Sequence, residues 1–256
     1  MSERAAVTPF TLTLQFHGDL PFFLKRGDVG GRVVRALGEK TSVKDVIEAC
    51  GVPHPEVDLI LCDGAAVDFA AQLTRAAQVD VHPVASPSHV LSVGRLQRRH
   101  VARFAVDGHL GKLARDLRLL GFDTLYRRDA EDGWLARVAV EQDRALLTRD
   151  RRLLMHSVVR DGYCPRSHVA GEQLVEVVRR FELLPAMRPY SRCLRCNGPL
   201  EPVEKESVLE QLEPLTRIYY TDFRRCVECG RVYWAGSHAD KLEARIQQVR
   251  AVLQAA

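Results

Sequence analysis

The chain lacks any uninterrupted apolar run near the roughly 20 residues that a membrane-spanning helix requires, which excludes a helical membrane protein as the sequence-level reading. It also lacks an internal repeat or a low-complexity tract. With 46% hydrophobic and 27% charged residues it is neither a disordered tail nor a collagen-like fibre. A large charge excess is missing too: 37 Lys+Arg against 33 Asp+Glu leave +4, too little for a dedicated nucleic-acid coat. Lysine is scarce, occurring only at Lys25, Lys40, Lys44, Lys112, Lys205 and Lys241. The basic set is therefore mostly arginine, which suits bidentate phosphate contacts if the partner is nucleic acid. Met1 to Pro9 show no basic-then-apolar signal pattern, so the expected compartment is the cytoplasm and no membrane partner is expected. An even cysteine count is absent as well. Seven cysteines argue against a closed disulfide framework.

What is present divides into three segments. In the first, Thr11 to Phe16 alternates with period two and predicts a half-buried strand, with Phe22-Phe23-Leu24 as its hairpin partner. Ser42 caps a helix, with Asp45 three residues on and Val43, Val46 and Ile47 as its apolar stripe. Val57 to Leu61 predicts a further strand, Asp63-Gly64 a tight turn, and Val79 to Val84 a closing strand. The order is that of a small α+β sheet with one helix across it. The strings Ser42 to Glu48, Gly51 to Val57, Asp63-Gly64 and Val67-Asp68-Phe69 resemble the ubiquitin-like β-grasp domain of Mut7-C-type proteins. That domain is similar to sulfur carriers, which need a free Gly-Gly terminus. Here the chain continues Val84-Ala85-Ser86-Pro87-Ser88, so the resemblance implies an interaction or packing module with a protein partner rather than a carrier. The expected domain spans residues 8–85. Residues 86–100 form a basic linker, and the run Arg95, Arg98, Arg99, His100 and Arg103 reads either as a solvated connector or as a phosphate-contacting arm.

The second segment, expected at 101–188, alternates strand and helix patterns. Val101 to Val106, Phe122 to Tyr126, Ala145 to Thr148 and Val158-Val159 read as strands. Leu110, Leu113, Ala114, Leu117 and Leu120 share a helical face that Gly121 ends. Leu135, Val138 and Ala139 mark a second helix, Arg151 to His156 a short one, and Leu174 to Phe181 a last one. This is the pattern of βαβ units around a parallel sheet, where ligands collect at the carboxyl ends of strands. Asp107 and Asp150 each follow an apolar strand there, and Asp129, Glu131 and Asp132 precede the second helix. Carboxylates converging on one edge repel one another unless a hard cation such as Mg²⁺ or Mn²⁺ neutralises them. The competing reading is capping, since Asp is a common N-cap; Asp132 in particular fits the start of its helix. Lys112, Arg115 and Arg149 lie near the same edge as phosphate contacts, with a solvated charge as the alternative for Arg115 and Arg118.

Phe104 to Arg115, Leu117 to Thr124 and Leu146 to Asp150 resemble the Mut7-C RNase domain, and the likeness covers nearly all of Arg103 to Ala239. The resemblance implies a PIN-like fold and metal-dependent RNA cleavage, with Asp107, Asp132 and Asp150 as the catalytic carboxylates and Asp129 and Glu131 as competitors for the middle place. Two departures matter. Gly108 stands where relatives often have an acid, and Arg151 and Arg152 follow Asp150. The implied metal site is thus poorer in carboxylates than in typical PIN nucleases.

The third segment, expected as a zinc ribbon at 189–238, carries Cys193-Leu-Arg-Cys196 and Cys226-Val-Glu-Cys229. Two matched pairs fit one tetrahedral zinc better than a thioredoxin-like redox pair, and four thiolates leave no open coordination position. Cys50, Cys62 and Cys164 read as buried structural thiols. The stretch between the pairs reads as a loop or hairpin, with Tyr219, Tyr220, Phe223, Tyr233 and Trp234 available for packing or base stacking. His238 reads as structural. Residues 239–256 form a terminal helix with Leu242, Ile246, Val249 and Leu253 on one face.

The expectation is therefore a multidomain α/β and α+β protein: an N-terminal ubiquitin-like β-grasp, a central PIN-like parallel sheet and a C-terminal zinc ribbon. Its expected activity is metal-dependent ribonuclease action, an endoribonuclease rather than an exoribonuclease, on tRNA, ribosomal RNA or another structured RNA. The phosphate contacts would be Lys112, Arg115, Arg149, Arg98 and Arg99. The alternative is a non-catalytic RNA- or ribosome-binding adaptor with a degenerate site.

Overall fold

The computed structural model describes residues 9–25, 28–84, 94–236 and 239–254. The first part of the expected linker, including Pro87, and His238 lie outside the described residues. In chain order the strands are β1 (Phe10–Phe16), β2 (Arg32–Leu37), β3 (Thr41–Ser42), β4 (Val57–Cys62), β5 (Ala65–Val67), β6 (Gln72–Leu73), β7 (Ala77–Pro83), β8 (Arg103–Val106), β9 (Asp123–Tyr126), β10 (Ala145–Leu147), β11 (Gly162–Tyr163), β12 (Leu200–Val203), β13 (Phe223–Cys226) and β14 (Val232–Trp234). The α-helices are α1 (Val43–Ala49), α2 (Gly111–Leu119), α3 (Asp132–Glu141), α4 (Arg151–Leu154), α5 (Ala170–Arg180), α6 (Pro214–Tyr219) and α7 (Ala239–Gln254). They fold as two compact units. One holds the described residues up to Arg98 together with Arg149–Cys164; the other holds Arg99–Thr148 and the chain from Pro165 onward.

The first unit is built on a mixed sheet in the order β2-β1-β7-β4-β5. β1 is antiparallel to β2 and parallel to β7, and its alternation puts Leu12, Leu14 and Phe16 in the core. Ser42 caps α1 by accepting the Asp45 amide at 3.1 Å, while its hydroxyl donates to the Asp45 carboxylate at 2.6 Å. The turn from β4 to β5 has φ 47° at Asp63 and 82° at Gly64, the left-handed pair that a tight hairpin turn needs. Phe22-Phe23-Leu24 is not the hairpin partner of β1. Leu20–Phe23 is a 3₁₀ turn, because Pro21 fixes φ and has no N–H for a ladder; β2 takes the partner's place.

The same unit contains the end of the expected linker and residues 149–164. Gln97 donates its side-chain amide to the carbonyls of His54 (3.0 Å) and Val57 (3.1 Å), and Arg95 pairs with buried Asp58 at 3.1 Å. Arg98 forks onto buried Asp161, its Nε lying 3.1 and 3.0 Å from the two oxygens. Val158-Val159 is not a strand. Its amides close a turn, with the Val159 N–H donating to the His156 carbonyl at 2.9 Å, and the extended pair comes later, at β11.

The second unit carries three parallel strands in the order β10-β8-β9, with Phe104 beside Ala145 on one side and Thr124 on the other. α2 buries Leu113, Ala114 and Leu117 and ends at Gly121, φ +93°. The Gly121 and Phe122 amides return to the Arg118 and Leu117 carbonyls at 3.0 Å each, a Schellman ending. A Cβ at Gly121 would lie 2.1 Å from the Arg188 carbonyl oxygen, so only glycine fits. Phe104 meets Phe122 and Phe181 edge-on, and α7 buries Ile246 and Val249 with Arg245 paired to Asp116 at 2.9 Å. The antiparallel sheet β12-β13-β14 follows. Between the cysteine pairs the antiparallel neighbours β12 and β13 are joined by a helical connection rather than a simple loop: a 3₁₀ turn, Lys205–Gln211, precedes α6, which Pro214 starts in the position where its missing N–H costs nothing.

Candidate functional site

The C-terminal sheet gathers Cys193, Cys196, Cys226 and Cys229 with all four sulfurs within 4.8 Å of one another. The Sγ of Cys193 is 3.7 Å from that of Cys229, and the Sγ of Cys196 is 3.3 Å from that of Cys226. A tetrahedron with metal–sulfur bonds of about 2.3 Å has edges of roughly 3.8 Å, so the donor set fits zinc in both chemistry and scale. Each pair is a knuckle: the Cys196 and Gly198 amides point at the sulfurs of Cys193 and Cys196, at 3.4 Å each. Burial works against the Cys193 thiolate, but the Cys196 amide, the Tyr233 hydroxyl and the Arg195 amide pull its thiol down to about 6. Burial pushes Cys196 and Cys226 up. The Tyr233 hydroxyl lies 3.1 Å from the Cys193 sulfur and accepts the Leu194 amide at 3.2 Å.

The knuckle is tied to the parallel sheet by residues that spacing does not reveal. Asn197, at φ +75°, accepts the Thr124 amide of β9 at 2.8 Å and donates to Asp123 at 2.8 Å. Arg118 is buried, not a solvated helix charge. Its guanidinium donates to the Thr124 carbonyl (3.0 and 2.9 Å) and to the carbonyls of Leu194 (3.3 Å) and Arg195 (2.9 Å) inside the knuckle. Asp123 is half-buried. Burial would raise its carboxyl, but hydrogen bonds from Arg144 and Asn197, with the charges of Arg144 and Arg192, hold it below the usual range.

Asp107 stands at the carboxyl end of β8, the middle strand of the three. Its Oδ2 accepts the Thr148 hydroxyl at 2.6 Å; its Oδ1 accepts the His109 amide at 3.1 Å and lies 3.1 Å from the His109 ring nitrogen. Burial opposes ionisation, yet the Thr148 hydroxyl and the His109 amide and ring hold the carboxyl low. Asp107 thereby caps a 3₁₀ turn, and Asp150 caps α4 by accepting the Arg152 (2.7 Å) and Leu153 (3.3 Å) amides. Asp132 is the first residue of α3 and Glu131 occupies the cap position, so Asp132 is not the N-cap itself. Asp129, Glu131, Asp132 and Asp150 are exposed. Among the described residues the four cysteines are the one group of His, Cys, Asp or Glu gathered at metal-ligating distances. Gly108 has a structural reason: a Cβ there would lie 2.1 Å from the Arg128 carbonyl oxygen.

The basic residues divide by engagement. Lys112 and Arg115 are exposed on α2, and Arg149 is half-exposed. Arg98 and Arg99 are held in ion pairs, with Asp161 and Glu182 respectively. Of the aromatic residues, Phe223 is buried, Tyr233 serves the cysteine centre and Tyr219 is exposed.

A mixed sheet crossed by a helix, a parallel α/β layer and a four-cysteine centre make this a multidomain α/β protein. The Mut7-C RNAse domain description matches residues 102–246, more than half of the chain, and the Mut7-C ubiquitin description matches residues 10–89. The chain belongs to the Mut7-C RNAse domain family. No curated protein matches it. Among the described residues no helix is long and apolar enough to cross a membrane.

Proposed function

We propose that the protein is a metal-dependent endoribonuclease acting on tRNA or another structured RNA in the cytoplasm. The reading rests on membership of an RNase-domain family together with Asp107, a carboxylate held ionised at the end of the middle parallel strand. Asp107, Asp132 and Asp150 would hold Mg²⁺ or Mn²⁺, with Asp129 and Glu131 as the alternative carboxylates. Such an ion supplies an activated water and charge stabilisation for the displaced phosphate oxygen. Thr148 keeps the Asp107 carboxylate oriented through its 2.6 Å hydrogen bond. Lys112, Arg115 and Arg149 receive backbone phosphates, whereas Arg98 and Arg99 stabilise the fold through their ion pairs. Zinc occupies the four-cysteine centre as a structural ion, supported by the donor set and the sulfur spacing. The ubiquitin-like domain serves packing and partner contact, not carrier chemistry.

One observation favours a second reading, an RNA-binding adaptor. Asp107 and Asp150 both act as caps, and no carboxylate group gathers among the described residues. Incubating structured RNA with Mn²⁺ and either wild type or Asp150→Asn separates the two. Cleavage by wild type alone supports the nuclease. Equal RNA binding by both proteins with cutting by neither removes the nuclease reading and leaves the adaptor. Metal analysis should find about one zinc per chain.

A further inference from the structure

Asp107 is followed at once by a place where two chain segments touch. The would-be Cβ of Gly108 meets the Arg128 carbonyl oxygen at 2.1 Å, and that of Gly111 meets the Tyr126 hydroxyl at 2.6 Å. The Tyr126 hydroxyl donates to the Gly108 carbonyl at 3.0 Å. Two glycines and one tyrosine thus pin the turn after β9 against the residues that follow the acidic position. That turn presents Arg127 and Arg128, both exposed. The Arg127 guanidinium carbon lies 5.0 Å from the centroid of the half-buried Trp134 ring. Among the described residues, neither arginine makes an ion pair or a side-chain hydrogen bond. Arg98, Arg99, Arg103, Arg144 and Arg192 all have carboxylate partners. The turn is fixed by close packing and leaves two exposed guanidinium groups next to the residues that follow Asp107, one of them over the Trp134 ring, so both can meet an anion or a flat group.

We propose that Arg127, Arg128 and Trp134 form a nucleotide subsite for single-stranded RNA beside Asp107: Arg128 takes a backbone phosphate, and the Arg127 plane, held by Trp134, stacks the adjoining base. The choice of RNA rests on the nuclease reading. The chemistry is that of unpaired RNA, since guanidinium planes and aromatic rings stack splayed bases whereas duplex bases are occupied with one another. Neither arginine was conspicuous in the sequence, where they stand between a strand and an acidic run.

The test uses the full-length chain and a short labelled oligouridylate, read by anisotropy without added Mg²⁺ or Mn²⁺, so that binding is scored apart from cleavage. The Arg127→Ala/Arg128→Ala variant should bind about tenfold more weakly or worse, and its salt dependence should fall by a slope of about 0.7 for the one lost phosphate contact. Trp134→Ala should weaken binding as Arg127→Ala does, and Trp134→Phe should restore most of it. Thermal unfolding of each variant checks that the fold persists. Binding by the double variant within about twofold of wild type, no binding by wild type, or equal losses on single-stranded and duplex RNA each overturn the subsite. Arginine-dependent binding without Mn²⁺-dependent cleavage supports the subsite and removes the nuclease. Cleavage with arginine-independent binding does the reverse.

Discussion

The carboxylate of Asp107 shows how one residue's surroundings set a measurable pH dependence. Its side chain is 16% exposed and accepts from the Thr148 hydroxyl and from the His109 amide. Its pKa in the folded state lies below the ordinary carboxylate value. A depressed carboxyl pKa contributes stability that is present above the unfolded value and is lost as pH falls through the folded value. Thr148→Val removes the 2.6 Å donor and should raise the Asp107 pKa, costing about 1.5 kcal/mol at neutral pH. Urea unfolding of both proteins at neutral pH and below pH ~3 should show the difference shrinking on acidification; a pH-independent difference would rule out the carboxylate as its origin. Gly108 next door has the opposite sensitivity. Restoring an acid there by Gly108→Asp forces a side chain into the Arg128 carbonyl, 2.1 Å from the Cβ position. The obstacle is backbone, so the substitution should cost roughly 2 kcal/mol or more, read as a lower unfolding midpoint. The apparent deficit of carboxylates at this position is thus a packing requirement.

At the scale of elements, the cysteine knuckle and β9 behave as one piece. The Thr124 amide is fully buried and Asn197 is its acceptor, at 2.8 Å. Asn197→Ala leaves that amide unpaired and should destabilise the protein by about 1–3 kcal/mol. Asn197→Asp keeps the acceptor but sets a second carboxylate against Asp123, so it should not restore stability. Chelating the metal should raise amide exchange at Thr124 together with the knuckle amides; fast exchange confined to the knuckle would show that the two are uncoupled. None of this coupling could be read from periodicity. Period-two and helical patterns marked β1, α2, α5 and α7 because burial of an apolar face is written locally, and the capping residues Ser42 and Gly121 are local too. The same patterns misplaced Phe22-Phe23-Leu24 and Val158-Val159, apolar runs whose neighbours Pro21 and His156 turn the backbone. Asn197 went unnoticed and the buried role of Arg118 was not legible, because a buried polar group is defined by its distant partner.

Over the whole molecule, the match to the RNase domain is continuous through 102–246, yet residues 149–164 fold in the unit of the ubiquitin-like domain. Buried polar bonds hold them there. His54 has one ring nitrogen 2.7 Å from Glu48 and the other 2.6 Å from the Val159 carbonyl. Glu56, 2% exposed, accepts the Cys164 amide at 2.7 Å. Arg151 donates to the Phe23 carbonyl at 2.7 Å and lies over the Phe22 and Phe23 rings at 5.3 and 5.1 Å. The arginine that follows Asp150, a departure from the acidic pattern of similar sequences, therefore has work to do inside this unit. Apart from His54–Glu48, these bonds span more than a hundred positions along the chain, too far for any window of sequence to suggest. They imply that the ubiquitin-like domain sets the order of the segment that begins at Asp150. Glu56→Ala should remove the acceptor of a buried amide, cost about 1–3 kcal/mol and accelerate hydrogen exchange at Cys164 and its neighbours before the rest of the sheet. Arg151→Ala should loosen α4 from the other end, with smaller effect because its hydrogen bonds are less buried. If Cys164 remains as protected in the Glu56 variant as in wild type, the ubiquitin-like domain does not govern that segment.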